Sequence, residues 1–133
     1  MDISGDWYNE LNSKVHFELN GKTITGTYQS AVGDAVGPYE LIGQLDESDE
    51  TPTIGWVVVW QNGRKDTHAV TAWSGQVQDI EGVVHIETMW LLTNSTTDAE
   101  EWQATLVGND VFTRDKRSDN DAHLARLRRG LKE

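Results

Sequence analysis

The sequence predicts an all-β protein, an eight-stranded antiparallel up-and-down β-barrel with a C-terminal extension able to form a helix. Three observations predict it. Glycine-bearing turn pairs recur at short intervals, the runs between them are rich in Val, Ile, Thr, Tyr and Trp, and the two prolines, Pro38 and Pro52, fall between those runs. Eight strands joined mainly by short hairpins suit a closed barrel wide enough for one small ligand. A β-sandwich shares the pattern.

The strands are expected at about 6–12, 14–19, 23–30, 39–46, 55–61, 67–78, 83–93 and 103–113. Asn20-Gly21 separates the second from the third and Asn62-Gly63 the fifth from the sixth. Both pairs suit a type I′ turn, which needs positive φ at its two central residues. Glu81-Gly82 divides the sixth strand from the seventh in the same way. Thr97-Asp98-Ala99-Glu100 fits a capping box, predicting one helical turn before Trp102. Asp121 to Lys132 places Leu124, Leu127 and Leu131 at helical spacing among arginines. That stretch reads as a frayed terminus or as an amphipathic helix that docks on a neighbouring subunit.

Charge and composition narrow the function. A net charge of −11 argues against nucleic acid as a partner, since phosphate binding needs a basic face. Residues 114–133 hold seven of the eleven Lys and Arg against four acids, leaving −14 on the first 113. We therefore divide the chain into a barrel domain, 1–114, and a charged extension, 115–133. Apolar runs such as Trp56 to Trp60 are far too short for a membrane-spanning helix, so a soluble protein with no membrane partner is expected. No basic-then-apolar targeting segment opens the chain, and Met1 onward reads as a mature start. Without cysteine, neither a disulfide framework nor a thiolate metal site is available. Six tryptophans beside two phenylalanines point to a site with flat aromatic walls.

Alternation then sorts residues into an inward set, because every second strand side chain shares a face. Asn9, Leu11 and Ser13 share parity, as do Tyr28, Ser30 and Val32. Trp56, Val58 and Trp60 form another row, followed by Ala69, Thr71 and Trp73. Val84, Ile86, Thr88, Trp90 and Leu92 form the longest, and Leu106, Asp110 and Phe112 the last. Hydroxyl, amide and carboxylate groups thus sit among aromatics on one face. Each would cost roughly 1–3 kcal/mol if buried without a partner, a liability that a complementary ligand converts to specificity. A register one residue out would turn them all to solvent.

The segments Trp7-Tyr8-Asn9-Glu10-Leu11-Asn12-Ser13, Gly26 to Gly33, Gly55-Trp56 with Trp60, Trp73-Ser74-Gly75-Gln76, Trp90-Leu91-Leu92-Thr93, and Trp102 with Thr105 to Asp110 closely resemble the avidin/streptavidin family, in order over roughly 5–114. The resemblance implies tight, non-covalent biotin binding in the open end of the barrel, plausible for sequestering the vitamin. It assigns Asn9, Ser13 and Tyr28 as donors to the ureido carbonyl oxygen, and Ser30 and Asp110 as partners of the ureido N–H groups. It also assigns Thr71 to the thioether sulfur, Trp60, Trp73 and Trp90 to the aromatic walls, and Leu92 and Val32 to the apolar lining. Trp102 matches a tryptophan lent to a neighbouring subunit's pocket, implying self-association, with a homotetramer as the family default. Ala69 stands where the family usually has a serine for the biotin carboxylate, and Asp34 where streptavidin has asparagine. Ring contacts are therefore expected to be kept and the carboxylate end held more loosely. The resemblance further implies no catalytic residue, no metal, no cofactor beyond biotin as ligand, and a secreted, extracellular location.

Three rival classes remain open on the residues. His16, His68, His85 and His123 lack metal-ligand spacing and none shares an inward row with a nucleophile, which argues against an enzyme. A lipocalin-like carrier would want an apolar lumen, and a carbohydrate module would place its tryptophans on an open platform.

Overall fold

A computed structural model describes residues 2–32, 35–97 and 104–122. Among them are eight strands: β1 (Gly5–Tyr8), β2 (Lys14–Asn20), β3 (Thr23–Gln29), β4 (Tyr39–Asp46), β5 (Thr53–Gln61), β6 (Asp66–Ile80), β7 (Val83–Asn94) and β8 (Thr105–Thr113). Each pairs antiparallel with the next, and β8 returns to β1, so the sheet closes in the up-and-down order expected. Burial alternates along the strands with the predicted parity: Ile54, Trp56, Val58 and Trp60 face in, Val57 and Val59 face out. Leu106, placed inward by alternation, is 43% exposed, because it lies one residue from the start of β8, at the rim.

The turns divide by their chemistry. Ile80 pairs with Val83 around Glu81 (φ 54) and Gly82 (φ 85), the two positive central residues of a type I′ turn. At the β2–β3 turn, Asn20 is still paired, with Thr23, so the centre is Gly21-Lys22. Gly21 alone has positive φ there, which fits type II′ rather than the type I′ expected. Gln61 pairs with Asp66, so residues 62–65 form a four-residue loop and not a two-residue turn. Asn62 builds it, its Oδ1 accepting the N–H groups of Arg64 and Lys65 at 2.9 and 3.0 Å.

β1 ends four residues sooner than expected. Asn9 Oδ1 accepts the N–H groups of Leu11 and Ser13, each at 2.9 Å, and Asn12 sits in the left-handed region at φ 64. A side-chain amide that captures backbone donors competes with the ladder, and a turn replaces the strand.

An aromatic column fills the interior. Phe17 packs edge-on against Trp56, Trp56 stacks on Trp73 at 5.3 Å, and Trp73 stacks on Tyr28 at 4.8 Å. Tyr28 and Tyr39 both meet the Trp60 ring edge-on. The geometry favours such pairs beyond their area burial.

The barrel closes at a thin seam. β1 and β8 share one register pair, Tyr8 with Thr113. Two arginines beyond β8 reinforce it. Arg114 donates to the carbonyls of Asp2, Ser4 and Asp6 and lies 4.0 Å over the Trp7 ring. Arg117 donates to the Tyr8 carbonyl and to Thr113 Oγ1, both at 2.7 Å. Past the barrel a helical turn begins at Asp119 and is described to Ala122; the rest of the expected helix lies outside the described residues.

Candidate functional site

Among the described residues, the connecting segments 9–13, 30–32, 35–38 and 62–65 lie at one end of the barrel. A cavity of about 110 Å³ opens there. Of the residues expected at the site, Ser30, Trp60, Ala69 and Leu92 line it. Asn9, Ser13, Tyr28, Thr71, Trp73 and Asp110 lie apart from that lining, each at most 4% exposed. Trp90 is also buried, at 7%, and Val32 is half-buried in the loop after β3. Asp34, Trp102 and the expected helical turn at 97–100 fall wholly or mainly outside the described residues.

Hydrogen bonds fix which end of each polar group can act. With Asn9 Oδ1 held by two backbone N–H groups, the carboxamide is oriented and its NH₂ is the end that donates. Ser13 Oγ accepts the Ala31 N–H at 3.0 Å, which directs the hydroxyl's own proton elsewhere. Thr71 Oγ1 accepts from Trp60 Nε1 at 2.8 Å, leaving Thr71 a donor as well. Ser30 has the opposite bias: its hydroxyl donates to the Val32 carbonyl at 2.6 Å and its oxygen accepts the Val32 N–H at 3.3 Å, with its second lone pair as remaining acceptor capacity. Asp110 accepts from Trp73 Nε1 at 3.0 Å through Oδ2, and its backbone carbonyl takes the Thr88 hydroxyl.

The tryptophans expected as walls are held by the neighbouring strands. Trp90 pairs across the sheet with Trp73 on one side and Gly108 on the other. A Cβ at Gly108 would overlap the Trp90 indole, so glycine is what lets that ring lie against β8. Trp90 Nε1 is buried with no hydrogen-bond partner among the described residues, at a cost of roughly 1–3 kcal/mol.

Three lining residues escaped the sequence reading: Ala35, Thr67 and Asn94. Asn94 lies directly across from Ala69 in the β6–β7 ladder. Thr67 lies two residues before Ala69 and shares its inward parity, and the β5–β6 register shifts beside it, between Val59 and Gln61. Opposite the shift, His68 takes φ 54, and Asp66 Oδ1 accepts its N–H. An Asp at the mouth of a predicted strand was the available signal, since Asp side chains bond their own backbone two residues on. His68 and His85 lie off the inward rows as parity predicts. His16 faces outward to Asp6 at 2.7 Å.

A short closed barrel whose mouth cavity is lined by the Trp60 indole, the Ser30 and Thr67 hydroxyls and the Asn94 amide, over a buried layer of aromatic and polar groups, has the architecture of a small-molecule-binding barrel. The chain belongs to the avidin family, whose sequence profile matches residues 1–115. It is 33% identical to avidin of Gallus gallus over 121 residues, covering 84% of this chain and 77% of avidin. Avidin-related protein 2 of Gallus gallus is 32% identical over 120 residues, again 84% of this chain and 77% of the relative. Fibropellin-1 of Strongylocentrotus purpuratus is 30% identical over 125 residues, or 88% of this chain; the chain spans only 11% of that protein's length.

Proposed function

We propose that the protein binds biotin non-covalently and with high affinity at the barrel mouth, making and breaking no covalent bond. The observation that carries this is the orientation of the polar groups. Asn9 and Ser13 present donors, as a ureido carbonyl oxygen requires, and Ser30 and Asp110 present acceptors, as ureido N–H groups require. Donors at one end and a carboxylate at the other polarise a urea in the same sense, and charge-assisted bonds are the stronger kind. Tyr28 completes the donor set, Thr71 faces the thioether, and Trp60, Trp73, Trp90, Leu92 and Val32 enclose the ring system. Asp34, Trp102 and Ala69 complete the proposed contacts, with Ala69 beside the ligand's tail.

A cavity of about 110 Å³ is well below the roughly 300 Å³ at which ligand pockets begin. Seating the bicyclic head therefore requires buried side chains to part, and binding includes that rearrangement. Thermal melting with and without biotin tests the proposal, because a ligand specific to the folded state raises the midpoint. No shift with biotin, alongside a shift with a retinoid or fatty acid, would replace it with an apolar carrier.

Self-association is part of the reading. Outward residues on neighbouring strands leave an apolar face, with Met89 58% and Val107 64% exposed, Leu91 opposite Val107, and Val57 in the same row beyond Ala72. Contiguous apolar surface of this kind marks an interface. A homotetramer is the assembly proposed, and an extracellular location goes with vitamin sequestration.

A further inference from the structure

We infer that Arg117, together with Asn12 and Glu10, is a positioning unit that fixes the Asn9–Ser13 turn and its separation from Asp110. This rests on the biotin reading proposed above. Arg117 lies beyond residues 1–115, over which the family profile matches.

The geometry reaches both halves of the site. Arg117 donates to the Tyr8 carbonyl, the residue immediately before Asn9, at 2.7 Å. It also donates to Thr113 Oγ1 at 2.7 Å and to the Val111 carbonyl, the residue immediately after Asp110, at 3.4 Å. Glu10, inside the turn, accepts the Val111 N–H on Oε2 at 3.0 Å. Asn12 and Arg117 exchange two further bonds, Nδ2 to the Arg117 carbonyl at 3.0 Å and the Arg117 N–H to Oδ1 at 2.9 Å. One guanidinium fork thus joins the donor end of the proposed site to its carboxylate end.

The location matters because β1 and β8 share only the pair Tyr8 and Thr113, so the ladder supplies little rigidity there. The turn also contains a left-handed residue, Asn12, whose conformation the two bonds to Arg117 stabilise. Burial draws the Arg117 guanidinium below its ordinary pKa, and the Glu10 carboxylate opposes that shift, so the fork stays charged and its bonds strong. Hydrogen bonds from a charged donor support a loss on the order of tenfold or more in ligand retention when they are removed.

The experiment compares Arg117→Ala and Asn12→Gly with the full-length wild type. Glycine adopts the Asn12 backbone without strain, so Asn12→Gly removes the amide pair without distorting the turn, and its added unfolded-chain entropy is common to every background. Biotin dissociation is expected to quicken in both variants, on the order of tenfold for Arg117→Ala. In a Ser13→Ala background that factor should shrink toward one, while in Trp60→Phe, a wall residue the unit does not hold, it should persist. Equal factors in all backgrounds would mean a general stability effect and would overturn the inference. In ligand-free protein, amide hydrogen exchange at Leu11 and Ser13 should accelerate in both variants; unchanged exchange also overturns it. Wild type that fails to retain biotin sinks the biotin reading alone, and the exchange measurement then decides the positioning role. If Arg117→Ala does not fold, Asn12→Gly carries the same comparisons.

Discussion

Trp73 gives its indole N–H to Asp110 at 3.0 Å while its ring stacks on Tyr28 at 4.8 Å, so the aromatic column and the buried carboxylate are one mechanical unit. Asp110→Asn retains an acceptor for the indole but loses the charge. We expect it to keep most of its stability while biotin binding weakens by on the order of tenfold or more. Asp110→Ala strands a buried N–H and should lose roughly 1–3 kcal/mol of stability as well. Calorimetry for binding and denaturant titration for stability separate the two variants. Equal destabilisation by both would deny the carboxylate its own role.

Thr71→Val keeps the shape of the side chain and deletes the acceptor of Trp60 Nε1. Fold stability should fall by roughly 1–3 kcal/mol, and biotin should dissociate faster as the Trp60 wall loosens. Tryptophan fluorescence during urea unfolding gives the first quantity. A chase with unlabelled biotin gives the second, and an unchanged rate there would detach Thr71 from the site.

At the rim, Ala69 stands between Thr67 and Asn94 and supplies no hydroxyl. Ala69→Ser should tighten binding of free biotin by up to about tenfold, the value of one added charge-assisted hydrogen bond. Biotin linked as an amide through its side chain should gain less. Calorimetry on both ligands checks this, and no gain for free biotin would count against a carboxylate held at this position.

On the outer wall, the hydrogen bond with His16, then the charge of Lys14, hold the Asp6 carboxyl below its ordinary value of 3.8. Such a group binds its proton more weakly folded than unfolded. Its stabilisation is therefore complete above the ordinary value and disappears as pH falls through the lowered one. Melting curves from about pH 5 to about pH 2 should fall less steeply for Asp6→Asn than for wild type. The difference should be small, because the pair is partly exposed and solvent screens it. Parallel curves would show that Asp6 takes no part in acid unfolding.

Val107→Lys places a charge on the most exposed of the outward apolar side chains. If this face joins subunits, sedimentation should show a smaller assembly than wild type at the same concentration. The barrel's own melting at high dilution should change little. An unchanged assembly would move the interface elsewhere.

How far these features can be read without a structure follows from the physics of each. The inward rows of β5 to β7 were legible because strand period is two and their burial is continuous, as in Trp56, Val58 and Trp60. Glu81-Gly82 was legible because both turn residues need positive φ. The end of β1 was not, since Asn9 has the parity of a strand residue and its competing bonds to Leu11 and Ser13 leave no periodic trace. Thr67 and Asn94 extend the rows of Ala69 and Leu92 by one step of alternation, but they sit at the very ends of their strands, where the sequence pattern fades into the turns. Arg117 was assigned to the extension because charge composition separates it from the barrel. Its bonds cross more than a hundred positions, to Tyr8 and Asn12.

The single pair between β1 and β8 also sets how the molecule responds to load. Every other strand boundary is a ladder of four to twelve rungs, whereas this one is a rivet flanked by two guanidinium hooks. Force applied by attachments at opposite termini would fall on that rivet and those hooks first. A tether on one terminus alone would leave them unstressed, so the choice of immobilisation geometry governs whether the cylinder stays shut under tension.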